Sequence, residues 1–203
     1  INDLLDMDKL EAGKMQFDLQ PCSLAAQLQE ALDSNQAYAD RHQVKLRLLD
    51  CVAVRVRVDA MRLQQVLANF ISNAVKYSPP GAEVCLRAEG RGARVRVEVS
   101  DQGQGIAAEF RQRIFSKFSQ ADASDSRSKG GTGLGLTISR EISRAMGGDI
   151  VWEIGSGYFG CRTSRGGFDP ERFAALAATD QVKMIEIKMS QGAKPGHGGV
   201  LPA

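Results

Sequence analysis

Residues 130–136 read Gly-Gly-Thr-Gly-Leu-Gly-Leu and run directly into a helical pattern with Leu134, Ile138, Ile142 and Ala145 on one face. No other segment limits the fold as strongly. Glycines let backbone N–H groups crowd around an anion, and a helix N-terminus adds its partial positive charge. The segment therefore reads as a phosphate-binding loop. Its spacing, Gly131, Gly133, Gly135, fits neither the P-loop nor the dinucleotide fingerprint that follows a strand. A flexible linker is the competing reading, but linkers seldom lead straight into a helix with an apolar stripe.

Composition narrows the partners. The chain has 203 residues, 43% hydrophobic and 25% charged, with a net charge of +2. Basic residues are dispersed, so nothing points to nucleic acid. No apolar run approaches the roughly 20 residues that span a bilayer, and no secretory leader is visible. The opening Ile1-Asn2-Asp3 lacks an initiator Met, so a fragment is expected. Cys22, Cys51, Cys85 and Cys161 lie far apart with no Cys-x-x-Cys pair, which argues against zinc and for reduced thiols.

Periodicity supplies the framework. Ile1, Leu4, Leu5 and Met15 suit a first helix, and Pro21 and Ser23 announce a second carrying Leu24, Leu28 and Leu32. Val52, Val54, Val56 and Val58 alternate with Arg55 and Arg57 as a half-buried strand. A third helix is expected over about 60–77, with Leu63, Val66, Leu67, Phe70, Ile71 and Ala74 inward, ended by Pro79-Pro80-Gly81. Strands Val84–Ala88 and Val95–Val99 suit a hairpin turning at Arg91-Gly92, and a polar loop, 119–130, precedes the glycine segment. A helix over 134–146 should stop at Gly147-Gly148, with a helix at 169–178 and a strand at 182–189 beyond. The expected class is α+β, a two-layer sandwich of a mixed, mostly antiparallel sheet with helices on one face.

Three segments carry candidate chemistry. On the third helix Asn69, Asn73, Lys76 and Tyr77 fall to one side. Asn amide oxygens suit Mg²⁺, and Lys76 can meet phosphate charge, although the same pattern also describes a solvated polar face. Asp101-Gln102-Gly103-Gln104-Gly105 follows a strand. A carboxylate there can accept a hydrogen bond from an amino group such as adenine N6, and glycines admit a planar base; alone, the segment also reads as a plain turn. Phe115 and Phe118, just before the polar loop, read first as core residues.

The order Asn-x-x-x-Asn, Asp-x-Gly-x-Gly, Phe-x-x-Phe, Gly-x-Gly-x-Gly resembles the N, G1, F and G2 boxes of the sensor histidine kinase catalytic domain. That resemblance implies the Bergerat ATP-binding fold, shared with DNA gyrase. It implies that Asn73 holds Mg²⁺, Asn69 sits beside the phosphates, and Asn69 and Lys76 serve catalysis. By the same resemblance Lys76 and Tyr77 approach the nucleotide and Asp101 reads the adenine. Gly103, Gly105, Ile106, Phe118, Gly131, Thr132, Gly133, Leu134, Gly135 and Leu136 complete the ATP site. Gyrase carries a water-activating Glu at the position of Asn69, and its absence here favours a kinase. Residues 8–14, Asp-Lys-Leu-Glu-Ala-Gly-Lys, look like the junction with the second dimerisation helix, giving 1–16 as the end of that helix and 17–149 as the catalytic domain. The implied partners are a histidine-bearing dimerisation domain and a response regulator, in a homodimer. The implied location is the cytoplasmic part of a sensor. Neither His42 nor His197 stands in a phosphoacceptor setting. An ATP-binding remnant without turnover is the alternative.

Residues 150–203 do not close as that family does. Asp149–Arg162 and Lys183–Gly199 resemble the flavin-binding domain of glutamate-synthase-like proteins, a TIM barrel. That likeness implies a chimera joined near Gly147-Gly148-Asp149, with Lys183–Met189 as a barrel strand and Lys188, Gln191 and Lys194 as polar candidates. The further alternative this likeness implies is a fragment of a flavin-dependent glutamate-synthase-like oxidoreductase, against which about 50 residues cannot close a barrel of about 250. A divergent kinase end is the alternative; on either reading Ile150–Ile154 and Tyr158–Cys161 can still supply substitute strands at the kinase sheet edge.

Overall fold

The computed structural model describes residues 2–91, 94–103, 105–106, 110, 113–119, 132–154 and 183–190. Helix α1 covers Asn2–Glu11, strand β1 Gln20–Ser23, α2 Leu24–Arg41, β2 Lys45–Cys51, β3 Arg55–Val58 and α3 Ala60–Tyr77. Strands β4, Glu83–Arg91, and β5, Arg94–Asp101, follow, then α4, Gly135–Ala145, β6, Asp149–Ile154, and β7, Lys183–Ser190. Five strands form one sheet in the order β2-β4-β5-β7-β6, in which only β2 and β4 run parallel. The expected α+β sandwich is the observed one.

The helices begin where side chains satisfy the backbone N–H groups that helix ends leave open. Ser23 accepts from Ala26 N at the start of α2, and Asp59 accepts from Arg62 N at the start of α3. The second carboxylate oxygen of Asp59 also accepts from Asp18 N, 3.0 Å away, tying the chain before β1 to α3. Leu63, Val66, Leu67, Phe70, Ile71 and Ala74 of α3 are buried, as their spacing requires. They meet Leu24, Leu28 and Leu32 of α2 and the alternating Val84, Leu86, Ala88, Val95, Val97 and Val99 of the sheet in one core. On the other sheet face Arg87 stands opposite Glu98, and Glu89 opposite Arg96, so each cross-strand pair joins opposite charges.

Several expectations need correction. The valine run forms a strand only at Arg55–Val58, and it pairs with β1 in a separate two-stranded ribbon. Pro21 lies within β1, tolerated because both strands of a two-stranded ribbon are edges. Leu4 and Leu5 are exposed on α1, where Met7 is the buried residue. On α4 Ala145 is exposed and Met146 takes its place in the core. Phe118 is not a core residue, being 65% exposed with a φ of 58°, while Phe115 packs against the core.

The largest correction concerns Lys183–Ser190. The strand exists, but it runs antiparallel to both β5 and β6, whereas the strands of a TIM barrel are all parallel. It lies inside this sheet, with Ile187 in register with Val97 on one side and Ile150 on the other. Strand β6 takes the sheet edge, the place expected for Ile150–Ile154. The expected strand Tyr158–Cys161, the helix at 169–178, Gln191, Lys194 and His197 lie outside the described residues.

Candidate nucleotide site

The site residues are carried by α3, the turn after β5, and the start of α4. Asn69 and Asn73 occupy successive turns of α3 and are half-buried. Lys76, also half-buried, stands in the last turn of α3, where a cation complements the helix dipole, with its Nζ 5.0 Å from the centre of the Tyr77 ring. Tyr77 itself is exposed.

Asp101 ends β5, and its Oδ1 accepts from Gly103 N at 2.7 Å, folding the turn back on itself. Gln102 Oε1 accepts from Glu83 N at 3.1 Å and ties that turn to the start of β4. Gly103 is buried, and Gly105 and Ile106 are half-buried.

Three glycines bring these segments together. A Cβ on Gly103 would lie 2.6 Å from Tyr77 O, so only a glycine lets the turn after β5 reach the end of α3. A Cβ on Gly135 would lie 2.5 Å from Asn69 Oδ1, which sets the start of α4 directly against α3. A Cβ on Gly133, whose φ is +70°, would lie 2.9 Å from the backbone carbon of Phe118. All four motifs of the sequence therefore meet, each through a glycine pressed on another motif's residue. Leu134 is buried, Leu136 is half-buried and packs on the core, and Thr132 is exposed; Gly131 and residues 120–130 lie outside the described residues.

The structure adds residues that the sequence did not single out. Asn69 Nδ2 donates to Ser139 Oγ at 2.9 Å, and Asn73 Nδ2 donates to Asn69 Oδ1 at 3.4 Å. Thr137 Oγ1 donates to Phe115 O at 2.9 Å, and the Arg140 guanidinium lies 4.7 Å from the centre of the Phe115 ring. Helix α1 reaches the same region. Thr132 Oγ1 donates to Asp3 Oδ2 at 2.8 Å, Lys117 pairs with Glu11, and Asp6 accepts from Gln65 on α3 at 2.7 Å. The sequence held one clue to α4: Ser139 and Ser143, four apart, run beside the apolar stripe and are buried.

At the far end of α4, Asp149 pairs with Arg140 and Arg144 at 3.1 and 3.3 Å. Partial burial pushes its carboxyl pKa up, but the Ile150 N–H and the two guanidiniums outweigh that and hold it below the ordinary carboxylate value.

The site fits Mg²⁺ as a shared ligand. Among the described residues no cluster of three His, Cys, Asp or Glu is placed to hold a metal. The amide oxygens of the α3 asparagines are hard donors suited to an ion that keeps most of its waters.

A mixed α+β sandwich with this glycine seam defines the class of ATPase-like catalytic domains. The chain belongs to the histidine kinase-, DNA gyrase B- and HSP90-like ATPase family, whose profile matches residues 58–169. The match continues past Gly147-Gly148, and the comparisons lend no support to a flavin-binding origin for the end of the chain. Among curated relatives, the circadian input-output histidine kinase CikA of Synechococcus elongatus is 39% identical over 162 residues, 77% of this chain and 22% of its own length. The signal transduction histidine-protein kinase BarA of Escherichia coli is 37% identical over 157 residues, 74% of this chain and 17% of its own. The chain thus spans about a fifth of these relatives. Full-length ShkA, solved in complex with AMPPNP, is 27% identical with a TM-score of 0.72, covering 96% of this chain and 36% of that one. The catalytic domain of histidine kinase ThkA shares the fold at a TM-score of 0.63, 23% identical over 87% of this chain and 97% of that domain. The chain is a histidine kinase-type ATP-binding catalytic domain. No helix among the described residues is long and apolar enough to cross a membrane.

Proposed function

We propose that this domain binds Mg-ATP in the seam between α3 and α4 and passes the γ-phosphoryl group to a histidine on a dimerisation helix, for relay to a response regulator. The observation that carries this reading is the convergence of the four motifs through Gly103, Gly133 and Gly135. In this reading Asp101 accepts from the adenine amino group, with Gly105 and Ile106 beside the base. Lys76 and Tyr77 border the nucleotide, Gly131 and Gly133 to Gly135 shape the phosphate loop, and Asn69 lies beside the phosphates. Asn73 would hold Mg²⁺, which when bound neutralises charge on the phosphate oxygens. The amide of Asn69 cannot act as a general base for water, which suits positioning of a phosphoryl group better than hydrolysis. Residues 1–16 act as the end of a dimerisation helix, residues 17–149 carry the ATP site, and the working protein is a homodimer on the cytoplasmic side of its sensor.

His42 caps α2 and stacks on Tyr38 with ring centroids 4.5 Å apart, a structural position rather than a phosphoacceptor one. For a test on this chain the acceptor is supplied in trans. Incubation with γ-labelled ATP and a separate histidine-bearing dimerisation domain should label that domain on an acid-labile nitrogen. Nucleotide binding without any label transfer would identify an ATP-binding remnant instead.

A further inference from the structure

The polar network of the seam starts one residue deeper than the motifs do. Ser139 is 2% exposed, on the second turn of α4. Its Oγ accepts from Asn69 Nδ2 at 2.9 Å. With Nδ2 on Ser139, Asn69 Oδ1 accepts from Asn73 Nδ2 at 3.4 Å. The Asn73 amide then has its nitrogen on Asn69, and Oδ1 is the end turned away. A serine hydroxyl both donates and accepts, so the contact anchors the Asn69 side chain against α4, and Asn69 in turn holds the Asn73 amide nitrogen. A hard cation binds the oxygen and not the N–H₂.

We infer that Ser139 is a positioning residue that anchors the Asn69 side chain and, through it, holds Asn73 in place with its oxygen toward the metal. The same contact joins α4 to α3 at the point where Gly135 meets Asn69, so the phosphate loop and the metal ligand are held in one register. A serine this deep in a helix otherwise bonds a carbonyl of its own preceding turn and affects stability alone. The two roles differ in what they do to Mg²⁺ dependence.

The inference rests on the Mg-nucleotide reading, and the test separates the two. The 203-residue chain is titrated with a fluorescent ATP analogue in Mg²⁺ and in EDTA, and the ratio of the two affinities is the readout. Ser139→Ala is expected to lower that ratio about 5- to 20-fold, with Ser139→Thr recovering most of it because the hydroxyl returns. In an Asn69→Ala background, Ser139→Ala should change nothing further, since contacting residues in one network do not add. A ratio untouched by Ser139→Ala, or an equal loss with and without Asn69, overturns the role of Ser139. Asp101→Asn is the control for the site itself. If it leaves analogue binding intact, the nucleotide reading fails; if it weakens binding while Ser139→Ala leaves the ratio alone, only the inference about Ser139 fails.

Discussion

The α3–α4 seam and the β6–β7 edge of the sheet both join residues far apart in sequence, yet they are held in different ways. At the seam single atoms decide: one serine oxygen on one asparagine amide, and glycines with no room for a Cβ. At the edge the bond is a backbone ladder, Asp149–Ile154 running against Lys183–Ser190 and that strand against β5. A ladder uses N–H and C=O groups that every residue except proline supplies. The seam should therefore tolerate little substitution and the edge little deletion, because β7 lies between β5 and β6.

Ending the chain at residue 182 is the strongest way to break this contrast. It removes an interior strand of the sheet, and the loss should exceed the roughly 5–15 kcal/mol that a domain has in hand. Thermal melts followed by circular dichroism should show no cooperative transition. A truncated chain that melts like the full one would remove β7 from the sheet.

Gly103→Ala comes next. Its Cβ meets a backbone carbonyl that cannot rotate away, so a destabilisation of about 1–3 kcal/mol is expected, seen as a lowered midpoint in urea. Gly135→Ala meets only the end of the Asn69 side chain. Its stability should change by less than about 1 kcal/mol, since alanine also favours the helix. Analogue affinity should nevertheless drop by at least about tenfold as Asn69 is pushed off Ser139. If Gly135→Ala binds normally, the seam is not the phosphate side.

The smallest effect belongs to Asp149. Its lowered carboxyl pKa contributes stability above the ordinary carboxylate value, lost as pH falls through the folded value. Asp149→Asn should lower stability slightly at pH 7, by at most about 1 kcal/mol for a partly exposed pair, read from the urea midpoint. The gap to the parent chain should close below about pH 4.

The same contrast governs what could be read beforehand. That the segments of Asn69, Asn73, Asp101 and the glycines come together was legible because the order of their motifs is specific. The inward face of α3 was legible because a helix repeats. Ser139 was not, since a buried serine on a helix has ordinary uses as well. Strand β2 was missed because Leu46, Leu48 and Leu49 around Arg47 break the alternation, and β1 because Pro21 signals against a strand. For β7 the extended period was visible, but a period names no partner. Its likeness to a barrel strand supplied a partner that the antiparallel register does not match.

The central claim is that Mg-nucleotide binds where α3, the turn after β5 and the start of α4 converge. Calorimetric titration with a non-hydrolysable ATP analogue, with and without Mg²⁺, tests it most directly on the parent chain and on Asp101→Asn. The account predicts saturable Mg²⁺-dependent binding by the parent, weakened about 10- to 100-fold by the loss of one charged acceptor. Equal binding by both chains, or none by the parent, contradicts it.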